Sequence, residues 1–363
     1  MLNDKYFLWG AGTYGSRLIN YLGNDLTFEA VIDNNPSKQG SVFCGLPVVG
    51  YNKVEGALSN SKIVVALNVP TAVRDFLLSE GFIENKDFYI IHSFLPRYFW
   101  NKNKSIVIKS ADIVATTMCN LKCNGCQAFI PLAPNPKHIS TESILHDVDL
   151  LFNHIDAVLN INFCVGESLL NADLAMICEY IHVKYEGRYN YMLIQTNGSI
   201  VPCDEAFQHF SKLNVQFGLS DYPECRKTKE RFIEKCETYN IQCYSNSSGS
   251  RELWYDFGDP RIIRETRPDK LRLQFAKCWQ PGMALVNGYL YICAAQAWAH
   301  VVAKTGLLDE GDAFDLRSPM SDESREKLYK IVSRQPPEAG YVSHCMRCQG
   351  VMTQFKSERR TSA

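Results

Sequence analysis

Charge of either sign is not in excess: 38 basic against 39 acidic residues leave a formal charge of −1. The chain therefore has no global attraction for nucleic acid or anionic lipid. No window holds the eighteen or so consecutive apolar residues of a spanning helix, and the opening MLNDKYFLWGAG lacks the basic and apolar stretches of an export signal. A cytoplasmic protein with no nucleic-acid and no membrane partner is expected. Internal repeats and low-complexity runs are missing as well. What is present is 363 residues at 46% hydrophobic content, enough for two or three packed domains, and 14 cysteines.

Cytosolic thiols are kept reduced, so so many cysteines without an export signal point to metal or cluster ligation rather than to disulfides. They divide into two kinds. Cys119, Cys123, Cys126, Cys278, Cys293, Cys345 and Cys348 fall in short-spaced or Gly-flanked patterns; Cys44, Cys164, Cys178, Cys203, Cys225, Cys236 and Cys243 are scattered. Free cysteine packs as a small hydrophobe, which accounts for most of the scattered set.

The pattern predicts an α/β protein in three parts. Residues 1–100 alternate short β-rich runs (Lys5–Trp9, Phe28–Ile32, Lys62–Leu67, Phe88–Ile91) with helical stretches such as Thr13–Leu22 and Thr71–Glu80, the pattern of a parallel sheet with crossover helices. The polar segment Asn101–Lys104 reads as a linker. Residues 105–265 repeat strand and helix from Ser105–Ala115 to Ile241–Ser245, with Ser140 or Thr141 capping the first helix, and predict a partial (β/α)6 barrel. In 266–363 the regularity fails, and Gly, Pro and four patterned cysteines predict a small cluster-supported domain.

Cys119-x3-Cys123-x2-Cys126 lies in the loop leaving the first barrel strand. Three thiolates on one loop hold three irons of a cubane and leave the fourth open for chemistry. Zinc would want a fourth ligand nearby, and only His138 offers one. The spacing in this context resembles the signature of the radical S-adenosylmethionine (SAM) superfamily. The resemblance implies that SAM chelates the open iron of a 4Fe-4S cluster and is cleaved to a 5′-deoxyadenosyl radical that abstracts hydrogen from substrate. It also implies that Val165-Gly166-Glu167 stands where the family has Gly-Gly-Glu, with Glu167 taking the SAM ammonium. Thr196-Asn197-Gly198 resembles the family turn beside the ribose and methionine, and Ser220 with Asp221 ends the fourth strand where a ribose or carboxylate contact is common. Two positions depart from the family pattern: Gly125 replaces the aromatic residue before the third cysteine, and Val165 replaces the first glycine.

Cys278 and Cys293, followed by Cys345-x2-Cys348, bracket a hairpin Met283–Ile292 that turns through Asn287-Gly288. Tetrahedral zinc would fit four such thiols as well. Beside a radical SAM barrel, the set resembles the shortened twitch form of the SPASM auxiliary module, which implies a second 4Fe-4S cluster. Near the N-terminus, Gly10, Gly12 and Gly15 follow a strand and open a helix, and Asp33 ends the next strand, a pattern suited to a nucleotide. The stretch Val31–Pro36 with Gly45–Val48 resembles the small Rossmann-like domains of sugar acyltransferases and sugar methyltransferases. A purely structural or docking unit is the alternative reading.

Together these resemblances imply hydrogen abstraction from a carbohydrate or nucleotide sugar, giving oxidation or epimerisation, with flavodoxin or ferredoxin as electron donor. Epimerisation needs a thiol donor, for which Cys164 and Cys225 are the candidates. Modification of a peptide or protein is one alternative, and a non-catalytic nucleotide-sugar-binding scaffold with a structural metal is another.

Overall fold

The computed structural model describes residues 4–58, 60–220, 222–245, 253–255, 257–278, 282–305, 311–350 and 354–356. The fold is α/β, and the chain divides into two compact units, Met1–Lys109 with Val332–Arg334 and Ser110–Ile331 with Gln335–Ala363.

The first unit runs β1 (Lys5–Trp9), α1 (Thr13–Leu22), β2 (Phe28–Ile32), β3 (Val42–Phe43), β4 (Leu46–Val49), α2 (Glu55–Leu58), β5 (Ser61–Val65), α3 (Thr71–Ser79), β6 (Phe88–Ile90) and α4 (Ile91–Asn103). Its sheet has the order β3-β4-β2-β1-β5-β6, parallel except for the β3–β4 hairpin. The buried strand cores Phe7-Leu8-Trp9, Ala30-Val31-Ile32 and Ile63-Val64-Val65 are continuous apolar runs because helices cover parallel strands on both faces. The expected linker Asn101–Lys104 is instead the last turn of α4, which Lys104 closes at φ 64°. Phe94, Leu95, Tyr98 and Phe99 are buried along this helix, and that apolar face carries it through the polar segment.

The second unit runs β7 (Val107–Ile113), α5 (Thr141–His154), β8 (Ala157–Phe163), α6 (Leu174–Tyr185), β9 (Tyr189–Thr196), α7 (Asp204–Phe210), β10 (Val215–Leu219), α8 (Arg226–Thr238) and β11 (Cys243–Ser245). It continues through β12 (Leu253–Tyr255), α9 (Pro268–Lys277), β13 (Met283–Val286), β14 (Tyr289–Tyr291), α10 (Ala294–Val301), β15 (Ala313–Asp315), α11 (Asp322–Val332) and β16 (Gln354–Lys356). Ser140 caps α5 by accepting from Ser143 N–H at 3.3 Å, as the sequence predicts. Phe207, Phe210, Phe217 and Phe232 interlock where α7 and α8 cover β10, each buried ring contributing about 1.5–3 kcal/mol.

The main sheet has the order β11-β10-β9-β8-β7-β13-β14-β15. Parallel pairing joins β8 to β9, β9 to β10, and β10 to β11. The expected six-unit barrel is realised as five strands in chain order, with β13 parallel to β7 on the side away from β8. All four residues of β13 are buried, so this strand satisfies the edge of β7 and covers it at once. Residues after 265, read from sequence as a third domain, fall in the second unit except Val332–Arg334. The β13–β14 turn is the one expected: Asn287 (φ 52°) and Gly288 (φ 77°) are both left-handed.

Candidate active site

The cysteine loop is held at its root. Thr117 N–H donates to Lys137 O at 2.9 Å, Ile139 N–H donates to Ala115 O at 3.1 Å, and Lys137 N–H donates to the Thr117 hydroxyl at 2.9 Å. His138 is exposed, its backbone pairs with that of Thr116 in this root, and it is not among the residues lining the cavity of the three cysteines. Cys119, Cys123 and Cys126 line one cavity of about 340 Å³. Among the described residues, no three His, Cys, Asp or Glu side chains close on a single-ion position.

Burial pushes the Cys119 thiol up to about 11 and raises that of Cys126. Set against this, Leu121 N–H donates to Cys119 Sγ at 3.4 Å, Asn197 Nδ2 donates to it at 3.8 Å, and the backbone N–H groups of Ala128 and Ile130 pull the Cys126 thiol down. Backbone donors around buried sulfurs are what an anionic thiolate cluster needs, so three thiols on this loop suit a 4Fe-4S cubane with one open iron. Gly125 sits at φ 65°, a conformation that strains an aromatic side chain and accounts for the departure at this position.

The strand-end motif clamps the loop. Gly166 has φ 64°, and a Cβ there would stand 2.3 Å from Met118 O; the Glu167 N–H donates to the same oxygen at 2.9 Å. The Glu167 side chain is fully buried, accepts from Asn197 N–H at 2.8 Å and Leu169 N–H at 3.2 Å, and does not line the cavity. Burial raises its carboxyl, against those donors and the Thr196 hydroxyl. Its carboxylate thus meets the turn after β9, and Gly166 is the residue of the motif that lines the cavity. Asn197 Nδ2 also donates to Asn120 Oδ1 at 2.9 Å, and Asn120 Nδ2 donates to the Ser199 hydroxyl at 2.7 Å. Thr196, Asn197 and Ser220 line the cavity. Asp221 lies outside the described residues.

Of the two candidate hydrogen donors, Cys164 lines the cavity; Cys225 packs instead with Leu121, Cys123 and Tyr222 and does not. Burial, and then the neighbouring Asp112 carboxylate, raise the Cys164 thiol well above its ordinary value. Sequence reading missed Asp112, Asn162, Gln195, Tyr222 and Trp298, all of which line the same space. For the first three a signal existed: polar residues interrupt the apolar runs of β7, β8 and β9 near their C-terminal ends. Tyr222 and Trp298 carried no such signal.

Cys278, Cys293, Cys345 and Cys348 come together in space, the half-buried Cys293 and the buried Cys345 each feeling Cys278 and Cys348. Burial pushes the Cys293 thiol up to about 12 and raises that of Cys345 well above its ordinary value. Gly350 N–H donates to Cys348 Sγ at 3.2 Å, and the N–H groups of Ala295 and Gln296 face Cys293. Gln274 Nε2 donates to the carbonyls of Cys345 (3.2 Å) and Cys348 (3.1 Å). Gln296 Nε2 meets Asp312 Oδ2 at 2.6 Å, and Ser343 bonds Asp312 through both its N–H (2.9 Å) and its hydroxyl. That bridge ties the helix after Cys293 to the turn carrying Cys345.

In the first unit, Gly10 (φ 124°) would place a Cβ 2.8 Å from Ala66 O, and Gly15 one 2.1 Å from Gly10 O, so both allow close packing of α1 on the sheet. Gly12 is the N-cap of α1 and has open space around it. Asp33 accepts from Ala11 N–H at 2.9 Å and pairs with Lys38 at 3.3 Å, while Lys38 Nζ donates to Ala11 O at 2.7 Å. The acid is thus fastened to the Gly-rich turn itself.

The family model of the radical SAM superfamily matches residues 113–224, the stretch from the end of β7 through the cysteine loop to the end of the fourth strand. The chain therefore carries a radical SAM domain over these residues. Among curated proteins, the redox-sensing transcriptional repressor Rex of Brevibacillus brevis is 35% identical over 63 residues, 16% of this chain and 30% of that protein. The chain thus spans less than a third of that relative. Among solved structures, BtrN in complex with AdoMet and 2-DOIA is 14% identical, with 68% of this chain and 95% of that one covered at a TM-score of 0.44. Native anSMEcpe with bound AdoMet and a Cp18Cys peptide is 21% identical, covering 38% of this chain and 42% of that one at 0.32. SuiB of Streptococcus suis bound to S-adenosylmethionine is 16% identical, covering 53% and 42% at 0.31. With scores below 0.5 the assignment rests on the sequence match. Among the described residues, no helix is long and apolar enough to cross a membrane.

Proposed function

We propose that this chain is a radical SAM enzyme that uses SAM and a 4Fe-4S cluster to abstract hydrogen from a carbohydrate or nucleotide sugar and oxidises or epimerises the carbon it attacks. The observation that carries the reading is that Cys119 and Cys126 of the loop, the cavity-lining Cys164 and Cys278, Cys293 and Cys348 of the second set pack against one apolar cluster of buried residues. The bound cluster and SAM would supply the 5′-deoxyadenosyl radical. Oxidation of an alcohol carbon then releases a proton and an electron, and the second thiol set suits an electron acceptor when it holds its own 4Fe-4S cluster. Epimerisation returns a hydrogen atom instead, and Cys164 is the thiol so placed. A Rossmann-like first unit with an Asp33-braced Gly-rich turn supports a nucleotide-linked substrate. Flavodoxin or ferredoxin would deliver the reducing electron in the cytoplasm.

The test is anaerobic reconstitution with iron and sulfide, then iron counting, EPR and 5′-deoxyadenosine assay with dithionite. Wild type is compared with the variant Cys119→Ala/Cys123→Ala/Cys126→Ala. Two clusters in wild type, with one lost in the variant together with deoxyadenosine formation, support the reading. Bound zinc without SAM cleavage refutes it.

A further inference from the structure

The expected site residues ring the strand ends, but the cavity wall continues into the barrel and is polar there. Asp112 on β7, Asn162 on β8 and Gln195 on β9 come from three neighbouring strands, with Cys164 just beyond β8. Asn160 Nδ2 donates to Asn162 Oδ1 at 2.6 Å, and Asn162 Nδ2 donates to Asp112 Oδ1 at 2.7 Å, which fixes the carboxylate plane. The Cys164 thiol bonds the same carboxylate. Two glycines leave this row its room. Gly218 is the register partner of Gln195, and a Cβ on it would stand 2.5 Å from the Gln195 amide oxygen; a Cβ on Gly282 would stand 3.1 Å from Asp112 Oδ2.

Barrel interiors ordinarily fill with branched apolar side chains, and a carboxylate 6% exposed among amides is costly unless hydrogen-bond donors meet it. Among the described residues lining the cavity, none is Lys, Arg or His. Such a wall disfavours phosphate and carboxylate and favours a group that donates hydrogen bonds without negative charge.

We propose that Asp112 anchors a hydroxyl or ammonium group of the substrate, with Gln195 meeting a second hydroxyl. The ring that reacts is then neutral or amino-bearing, and any phosphate stays off this wall. This rests on the carbohydrate reading and narrows it.

Equilibrium dialysis of the reconstituted, SAM-loaded, unreduced enzyme tests it with D-glucose, D-glucosamine and D-glucose 6-phosphate as probes. Glucose and glucosamine are expected to bind at millimolar concentration, with glucose 6-phosphate about tenfold weaker. Asp112→Asn weakens glucosamine by about tenfold while SAM retention and melting temperature hold. Should Asp112→Asn fold poorly, Gly218→Ala, which displaces Gln195 and keeps the carboxylate, is expected to weaken glucose. Equal binding of the phosphate ester, no change in a folded Asp112→Asn, or no binding of either uncharged or amino-bearing ring overturns the anchor. The same samples, reduced, separate the two ideas. Deoxyadenosine formation insensitive to every sugar counts against the carbohydrate reading, whereas stimulation that survives Asp112→Asn with unchanged affinity counts against Asp112 alone.

Discussion

Replacing Gly166 by alanine should remove the SAM cluster and leave the rest of the chain folded. The backbone at this residue is left-handed, which costs a non-glycine residue about 1–2 kcal/mol. The new methyl would also stand 2.3 Å from Met118 O and 3.0 Å from Thr116 O, backbone atoms rather than flexible side-chain tips. Relief requires the Met118 carbonyl, one residue before Cys119, to retreat by the better part of an ångström and to give up its bond from Glu167 N–H. Overpacking of this kind costs about 1–3 kcal/mol, so the two effects together amount to about 2–5 kcal/mol. The cysteine loop is the part that yields. Anaerobic reconstitution should give about half the wild-type iron, the share held by the second thiol set, and no deoxyadenosine. Gly56→Ala is the control: its methyl meets nothing within 4 Å, and iron, melting temperature and SAM cleavage should stay as in wild type. A Gly166→Ala protein with full iron, wild-type melting and normal SAM cleavage would refute the clamp.

Three further outcomes are expected. Glu167→Ala leaves the N–H groups of Asn197 and Leu169 without their acceptor, at about 1–3 kcal/mol each, so melting temperature and SAM affinity should both fall; an unchanged melting temperature contradicts this. Asp312→Ala cuts the bridge from Gln296 to Ser343 and should cost the iron of the second set while sparing that of Cys119, Cys123 and Cys126, as read by iron counts in the presence and absence of the triple cysteine substitution. Asp147 accepts from Gly288 N–H at 2.7 Å, and burial raises its carboxyl. A raised carboxyl binds its proton more tightly in the folded state, so its contribution is full below the ordinary carboxylate value and is lost as pH rises through the folded one. Asp147→Asn should abolish that fall in a pH series of melting temperatures, and a series parallel to wild type argues against it.

The two cysteine patterns, the Gly-rich turn and the strand-end motifs were legible because each depends on neighbours in the chain. A three-thiol loop needs only short spacing, and a hairpin through Asn287-Gly288 needs only two residues that tolerate positive φ. The roles of particular side chains were less legible. The motif offers Glu167 as a SAM contact, but that its carboxylate is buried and accepts from Asn197 N–H, just past β9, could be read only from the fold. Asn101–Lys104 looks like a linker, yet tertiary burial of the apolar face before it keeps the helix going.

The sequence by itself determined the α/β character and the alternation of strands and helices up to β11, since periodicity and spacing are local properties. Only the tertiary structure decided that β13 pairs with β7, that Cys164 rather than Cys225 faces the cavity, and that Asp112, Asn162 and Gln195 form one wall. Those residues lie on different strands, far apart in the chain. Their meeting is fixed by sheet order and register, which no local pattern encodes.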